Sequence, residues 1–399
     1  MAWNNAQWEV QEATPISVLG HLTTAEYPSV QETVGHFLNH GDLSTCVQVC
    51  KSWHKLFHPL LWRHVDASWF SAWWCWDDDD DPIFLLTKYA HLIHSLNIEA
   101  YICSLKDCPP IFPHLTSAEV YGTYYGGKGE FTEIVRRGSP AGWKRLVFDN
   151  LTYDENSHST YYNYEGDFFG ALQEYAASTL EVLHILGEAF VLSKDIDLLL
   201  CSAPRLKELR FFWESMSGCS GWLNAQEIID SEWVCTELEV FCCQIGNILR
   251  PDITRDIQGQ PASAFARDGN HGEDLDLQQR IYTKLGRLTR LRELRLGFEL
   301  DTSPPLYRRH DKETYRQYDC LAMTLDSGLD LLKGLKELRI VGLEDMEIYI
   351  NNPREQDWFA EHWPHATIGT SDYTTDRDNY HRSDSEIEAD DVDQEENNV

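Results

Sequence analysis

The sequence has 399 residues, a length that predicts two or three domains. Its formal net charge of −32 argues against binding to nucleic acid or to anionic membrane surfaces, since both kinds of binding need clustered lysine and arginine. No apolar run approaches the roughly 18 residues of a membrane span, and no basic residue precedes Lys51, so we expect no signal peptide. We therefore expect a cytoplasmic or nuclear protein whose eleven cysteines are reduced, buried thiols.

An arm over residues 1–26 is predicted to precede a module of three short helices over residues 27–66. The first helix is indicated by apolar residues that share one helical face. These residues are Val30, Val34, Phe37 and Leu38. Pro28 suits the first turn of this helix, where a missing N–H is tolerated.

The remaining helices of the module have predicted ends. A break at His40-Gly41 and an N-cap at Asp42 are expected before the second helix. Pro59 is expected to end the third helix, because proline lacks the donor N–H. Apolar positions on these helices are Leu43, Cys46, Val47, Val49, Cys50, Trp53, Leu56 and Phe57. About forty residues are too few for a self-sufficient core, so surplus apolar surface predicts a binding partner.

The order of residues in this module resembles an F-box, in the form common in fungal F-box/leucine-rich-repeat proteins. The shared elements are Pro28, Val34, Phe37-Leu38, Asp42-Leu43, Cys46, Val49-Cys50-Lys51, Trp53, Pro59 and Leu61-Trp62-Arg63. The resemblance implies docking on the Skp-type adaptor of an SCF-type cullin–RING ubiquitin ligase. The residues expected to contact the adaptor are Pro28, Val34, Phe37, Leu38, Leu43, Val47, Val49, Cys50, Trp53, Leu61 and Trp62.

Residues 67–82 combine a cluster of tryptophans with five consecutive aspartates, Asp77–Asp81. We predict an aromatic and acidic linker between two domains. A calcium loop is the alternative, but calcium loops space their ligands alternately because neighbouring side chains diverge.

From residue 83 to residue 350, an L-x-x-L-x-L-like unit recurs. Its copies are Ile93/Leu96/Ile98, Leu115/Ala118/Val120, Trp143/Leu146/Phe148, Leu180/Leu183/Ile185, Leu206/Leu209/Phe211, Leu238/Phe241/Cys243, Leu291/Leu294/Leu296 and Leu335/Leu338/Ile340. Each unit ends with period-2 alternation, which predicts a short strand with one buried face. Helix-like segments lie between the units, namely Phe168–Ala177, Lys194–Cys201, Gln278–Leu285 and Cys320–Leu332.

This alternation of strand and helix predicts an α/β fold, an irregular leucine-rich-repeat solenoid. The longest insert covers residues 247–273 and is rich in glycine and proline. Residues 351–370 are expected to cap the solenoid. Residues 371–399 hold eleven acidic residues against two arginines, which predicts a disordered acidic tail.

Two patterns resemble a phosphate site and a zinc site, but each lacks a feature that such a site needs. Gly122–Gly129 nearly matches a phosphate-binding loop, but Gly129 replaces the hydroxyl that would hold magnesium. Cys46, Cys50, His54 and His58 recur every fourth residue, but along one helix they would span about 18 Å, too far for one zinc ion. No catalytic residue, cofactor or metal is predicted.

These features favour a non-catalytic, substrate-recognition subunit of an SCF-type ligase, a monomer within a larger complex. The module would bind the adaptor and, through it, cullin; the solenoid would bind a target protein whose identity the sequence does not give. The strand positions expected to contact the target are Glu181, His184, Lys207, Glu208, Arg210, Arg292, Glu293 and Arg295. One alternative is a non-ligase leucine-rich-repeat scaffold, in which the module merely caps the solenoid; another is a degenerate nucleotide-binding domain.

Overall fold

The computed structural model describes part of the chain. The described residues are 34, 37–66, 82–99, 112–121, 130–150, 162–163, 167–187, 189–211, 222–246, 248, 271–296, 321, 323–343 and 353–369. Several predicted features lie outside these residues, namely the arm 1–26, Pro28, Val30, the linker up to residue 81, the loop 122–129, most of the insert 247–273 and the tail 371–399. The chain divides into two compact units, residues 1–184 and 185–399. None of the described helices has the length and apolarity that crossing a membrane requires.

Two helices form the N-terminal part of the first unit, α1 (His40–Val49) and α2 (Lys51–Leu61). The predicted break at His40-Gly41 and the cap at Asp42 are wrong, because α1 begins at His40. Asn39 is the N-cap, and its side chain accepts a hydrogen bond from the Asp42 N–H at 2.9 Å. This side chain satisfies an N–H group that the first helical turn leaves without an intrahelical partner.

The prediction that Pro59 ends the helix is also wrong, because α2 continues to Leu61. Pro59 lies in the last turn, where its missing N–H removes a single hydrogen bond. The Trp62 N–H still donates to the His58 carbonyl at 3.3 Å. Leu60 and Leu61 pack against the core of the module, which favours continuing the helix past the proline.

Parallel strands form the sheet of the first unit. They are β1 (His64–Asp66), β2 (Ser95–Glu99), β3 (Ser117–Tyr121) and β4 (Arg145–Asn150). The unit also contains the short strand β5 (Tyr162–Asn163), which is not part of this sheet, and the start of β6 (Val182–Gly187), in which the units divide. The helices are α3 (Pro82–Tyr89), α4 (Glu130–Arg136) and α5 (Asp167–Tyr175), with a 3-10 turn at Ala90–Leu92. Leu96, Ala118 and Leu146 are aligned across β2, β3 and β4 and fully buried, as their repeat units predict.

The second unit repeats this parallel arrangement. Its strands are β7 (Ala189–Phe190), β8 (Glu208–Arg210), β9 (Trp222–Asn224), β10 (Val240–Cys242), β11 (Gln244–Gly246), β12 (Glu293–Arg295), β13 (Ile340–Gly342) and β14 (Thr367–Gly369). Its helices are α6 (Ser193–Leu200), α7 (Ala225–Ile228), α8 (His271–Gly286) and α9 (Pro353–His362), with a 3-10 turn at Leu329–Leu332. Strand β10 lies between β8 and β12, and β12, β13 and β14 follow in chain order. The side chains of Leu209, Phe241 and Leu294 are aligned and fully buried.

The last predicted repeat unit has the wrong register. Strand pairing aligns Leu294 with Val341, not with Leu338. Val341 is fully buried, whereas Ile340 is 38% exposed. The unit is therefore Leu338/Val341/Leu343, shifted by three residues from the predicted Leu335/Leu338/Ile340, because both frames satisfy the same apolar pattern.

The prediction for one of the helix-like segments is also wrong. Three of the predicted helices match α5, α6 and α8, namely Phe168–Ala177, Lys194–Cys201 and Gln278–Leu285. In the fourth segment, Cys320–Leu332, the described residues form turns and the 3-10 turn at Leu329–Leu332 in place of an α-helix. Gly328 has a φ of +114°, a conformation that an α-helix of L-residues does not contain. The Ser327 hydroxyl donates to the Thr324 carbonyl at 2.8 Å, which gives the backbone a local alternative to the helix.

A buried lysine joins α8 to the segment that follows α7. The Lys284 ammonium donates to the carbonyls of Ile228 and Ser231, the latter at 2.6 Å, and to the Ser231 hydroxyl at 2.7 Å. It also lies 4.7 Å from the centre of the Trp233 ring. These contacts give hydrogen-bond donors to backbone carbonyls at and after the end of α7. They also hold α8, which follows the long insert, against the segment that precedes the insert.

Candidate functional site

Helices α1 and α2 build a small apolar core that includes several of the residues predicted to contact the adaptor. Leu43, Val47 and Phe57 are buried. The partly buried side chains packed against them are Leu38, Cys46, Trp53, Leu56, Leu60 and Leu61. Leu38, Leu43, Val47, Trp53 and Leu61 therefore take part in the packing of the module.

Three of the predicted adaptor contacts remain largely in solvent. Phe37 is 84% exposed, Val49 is 57% exposed and Val34 is 45% exposed. Large apolar side chains at such exposure are unfavourable in water unless another surface covers them. Val34 and Phe37 precede α1, and Val49 is its last residue, beside the core that this helix helps to form.

Trp62 and Cys50 have other surroundings. The Trp62 ring stacks on Tyr89 of α3 with 4.1 Å between ring centroids, which ties α2 to the following helix. Cys50 is a half-buried free thiol and the N-cap of α2, without a side-chain capping bond.

The cysteine and histidine stripe contributes to packing. The rings of His54 and His58 lie 4.9 Å apart, and His58 also contacts Tyr89. Burial lowers the pKa of His58, and the nearby charges of His54, Lys88 and His91 lower it further. Among the residues that the structure describes, no group of three or more His, Cys, Asp or Glu side chains is arranged to hold a metal ion.

The predicted target contacts include a charged cluster on the second unit. Arg210 contacts both carboxylate oxygens of Glu293, at 2.9 and 2.6 Å, and the Arg295 Nε donates to the same carboxylate at 2.8 Å. Although burial opposes ionisation, hydrogen bonds from both arginines hold the pKa of Glu293 below its usual value. Glu293 is buried, so its carboxylate orients two arginines on the strand face.

The other predicted target contacts are separate from this cluster. Lys207 is exposed just before β8, and Glu208 is half-buried at the start of that strand. Arg292 is exposed and pairs with Glu239 at 2.9 Å and with Glu337 at 3.7 Å. In the first unit, Glu181 is half-buried just before β6, and His184 is half-buried within it.

A polar cluster on β3 and β4 was not among the predicted sites. The Tyr121 hydroxyl donates to Glu119 at 2.8 Å, and burial followed by this hydrogen bond raises the pKa of Tyr121 to about 12. Burial, together with the charge of Glu119, raises the pKa of Asp149 to about 6. Alternate positions along the two strands were the available signal, since residues two apart share one face.

Comparison with known proteins identifies the N-terminal segment. The F-box-like family model matches residues 32–68, which include α1, α2 and β1. The chain is also similar to a solved structure described as the crystal structure of the Rad7 and Elc1 complex in yeast, with 12% identity, a TM-score of 0.38 and coverage of 87% of this chain and 88% of that chain. No curated protein matches the chain. The chain thus carries an F-box-like segment together with units of parallel strands and helices.

Proposed function

We propose that this chain is the substrate-recognition subunit of an SCF-type ubiquitin ligase. The observation that carries the proposal is the F-box-like segment at residues 32–68, whose helices leave Phe37 and Val49 largely exposed. The resemblance to F-box proteins gives this surface a Skp-type adaptor as its partner, and cullin would be reached through that adaptor. Covering the two side chains would supply apolar binding free energy.

We further propose that the parallel strands belong to irregular leucine-rich repeats of the kind found in fungal F-box proteins. Support comes from buried residues aligned from strand to strand, such as Leu209, Phe241 and Leu294. Further support comes from the helices between successive strands, as between β6 and β8. Repeats of this kind present their exposed strand positions to a partner.

The proposed mechanism is proximity. The chain would catalyse nothing itself and would hold a target lysine near the ubiquitin carrier that the ligase recruits. Tethering raises the effective concentration of the two reacting groups without any new chemistry. The chain would act as a monomer within the larger complex, in the cytoplasm or the nucleus.

In the second unit, the proposed target contacts divide by accessibility. Lys207 and Arg292 are exposed and are suited to direct contact. The Glu293 carboxylate is buried between Arg210 and Arg295, so it would act by orienting those guanidinium groups.

The proposal is tested by co-expressing the full chain with a Skp-type adaptor and measuring co-elution in size-exclusion chromatography. Wild type should form a stable complex, and Val49→Asp should not, because it places a charge in the covered surface. Val234→Asp is the matched control, since Val234 is also exposed, at 38%, but lies in the second unit. It should leave the complex intact.

Two results would contradict the adaptor role. Absence of a wild-type complex would remove the ligase assignment. A complex that Val49→Asp and Val234→Asp affect equally would show that the exposed face of α1 is not the docking surface. If wild type forms no complex, the non-ligase scaffold, with the module as a simple cap, is the better interpretation.

A further inference from the structure

The polar side of α2 is basic, and so is the end of α3 beside it. Residues 43–65 and 82–98 contain no aspartate or glutamate, although the chain holds 65 such residues. Along α2 the basic side chains recur at i, i+3, i+4 and i+7, the spacing of one helical face. Together with two side chains from the end of α3 and the turn that follows it, they form a surface that we call the basic face: Lys51, His54, Lys55, His58, Lys88 and His91.

Ring contacts hold the two parts of the basic face together. The rings of His54 and His58 lie 4.9 Å apart, and the His58 ring lies 4.9 Å from the ring of Tyr89. The Lys88 ammonium lies 5.1 Å from the centre of the same Tyr89 ring. His58 is half-buried, whereas the other five members of the basic face are exposed. The face is therefore fixed in position and accessible to a partner.

Among the residues that the structure describes, no carboxylate pairs with a member of the basic face. Burial lowers the pKa of His58, and the charges that lower it further all come from other members of the face. Exposed arginines on α8 are different, because they pair with carboxylates, as in Arg280–Asp230 at 2.8 Å and Arg287–Glu232 at 3.5 Å. The basic face thus lacks the compensation that other cations of the chain have.

Helix stability does not account for these cations. Like charges at i, i+4 destabilise a helix, and Lys51 and Lys55 have that spacing, as do His54 and His58. Lys51 is also the first residue of α2, where the helix macrodipole favours an anion. The arrangement lowers the stability of α2, as expected for a surface that serves a bound anion.

We propose that the basic face binds an acidic segment of a partner protein, about four residues in extended conformation. Lys51 and His58 lie about 10 Å apart along α2, and Lys88 and His91 widen the face beside His58. An extended segment rises about 3.3 Å per residue, so about four residues cover this length. Carboxylate oxygens accept hydrogen bonds from ammonium and imidazolium groups, and such charge-assisted bonds are strong.

The charge of the whole chain favours a short acidic segment over a nucleic acid or a membrane. A long polyanion or an anionic membrane would be repelled by a chain of net charge −32. A short segment interacts mainly with the charges within a screening length of about 8 Å, and those charges are the cations of the basic face. The aspartates Asp77–Asp81 precede α3 in the sequence, so the test includes them as a competing occupant.

Fluorescence anisotropy of a fluorescein-labelled hexaglutamate peptide with the full chain tests this inference. Wild type should bind at low salt. The double variant Lys55→Glu with Lys88→Glu should bind about tenfold more weakly, as expected for losing two charged contacts. Lys194→Glu with Lys336→Glu is the matched control, because it changes the net charge equally at two exposed lysines of the second unit. The control should bind like wild type.

Binding of hexaglutamate should also depend on pH. The titratable groups that face His58 are His54 on α2 and, from α3 and the turn after it, Lys88, Tyr89 and His91. Burial and the cationic neighbours lower the pKa of His58 in the free chain, and a bound carboxylate raises it again. His58 therefore takes up a proton with the peptide, so binding should be tighter at pH 6 than at pH 8. His54→Gln with His58→Gln should reduce this difference.

Circular dichroism melting establishes that the variants fold, and Lys88→Gln provides a milder change with the same expected direction. The inference is overturned if hexaglutamate does not bind, or if the double variant and its control bind it equally. It is also overturned if a uridine hexanucleotide or anionic phospholipid vesicles bind more tightly than hexaglutamate and lose affinity in the same double variant. Binding that appears only after Asp77–Asp81 are changed to asparagine would overturn it too, by assigning the basic face to the chain's own aspartates.

The outcome is independent of the adaptor role, because the measurement needs no adaptor. Phe37→Ala should leave hexaglutamate binding unchanged, whereas it should weaken the adaptor complex. Hexaglutamate binding without any adaptor complex would remove the ligase assignment and keep the basic face as an acidic-peptide site. An adaptor complex without hexaglutamate binding would do the reverse.

Discussion

Phe37 offers the sharpest quantitative test of adaptor docking. A phenylalanine side chain presents about 200 Å², and 84% of Phe37 is exposed, so about 170 Å² is left for a partner to cover. At about 25 cal/mol per Å², covering this surface is worth about 4 kcal/mol. Alanine retains about a third of the area, so Phe37→Ala should lose about 2 to 3 kcal/mol, which is a rise in Kd of about 30- to 150-fold.

Isothermal titration calorimetry of the purified chain with a Skp-type adaptor measures this Kd. The thermal stability of the variant should stay close to that of wild type, because so exposed a side chain contributes little to folding. Tyr175→Ala is the control, since Tyr175 is an exposed aromatic residue of the first unit, on α5. A change in Kd below about threefold for Phe37→Ala would refute the reasoning.

Three further predictions concern stability, measured by urea denaturation with tryptophan fluorescence. Val341→Ala should lower the free energy of unfolding by about 2 kcal/mol and Ile340→Ala by less than about 1 kcal/mol; the reverse order would contradict the register of β13. Lys284→Met should lower the free energy of unfolding by about 3 kcal/mol, because the carbonyls of Ile228 and Ser231 lose their donor. Unchanged amide exchange at residues 228–231 would contradict the role of Lys284 in holding this segment. Burial raises the pKa of Asp149 in the folded chain from its ordinary 3.8 to about 6, so the stability that the protonated group retains at low pH is lost as the pH rises through about 6. Asp149→Asn should therefore stabilise the chain by about 1 kcal/mol at pH 7.5, after discounting for solvent screening, with little effect at pH 4; equal effects at both values would contradict it.

The positions of most strands could be predicted from the sequence, because a buried strand residue leaves a period-2 apolar pattern. Leu96, Leu209 and Leu294 were identified in this way, and the structure aligns or buries them as expected. Strand β1 was missed, since His64–Asp66 offers a single buried residue. Its partner strand β2, which is not adjacent in sequence, makes it recognisable as a strand.

Local sequence signals gave the wrong helix start and the wrong strand register where two equivalent signals lay close together. Asn39 and Asp42 are both good N-cap residues, and the structure uses Asn39. Leu335 and Leu338 both begin an apolar triplet of the right spacing, and only pairing with β12 selects the second. Sequence spacing alone contains no information that separates such alternatives.

The charged residues of the candidate sites depend still more on tertiary contacts. Arg210 and Glu293 are separated by 83 positions, yet they form the bidentate ion pair of the strand face. Arg292 and Glu239 likewise come from distant parts of the sequence and pair at 2.9 Å. The module at residues 27–66 was recognisable because its residues follow one another in a family order, whereas these surfaces are assembled from distant segments.

The most direct measurement of the central claim is affinity purification of the tagged full chain from its native cell, followed by mass spectrometry. We predict that wild type retains a Skp-type adaptor and a cullin together, and that Val49→Asp loses both while Val234→Asp keeps them. Recovery of neither protein with wild type would contradict the account.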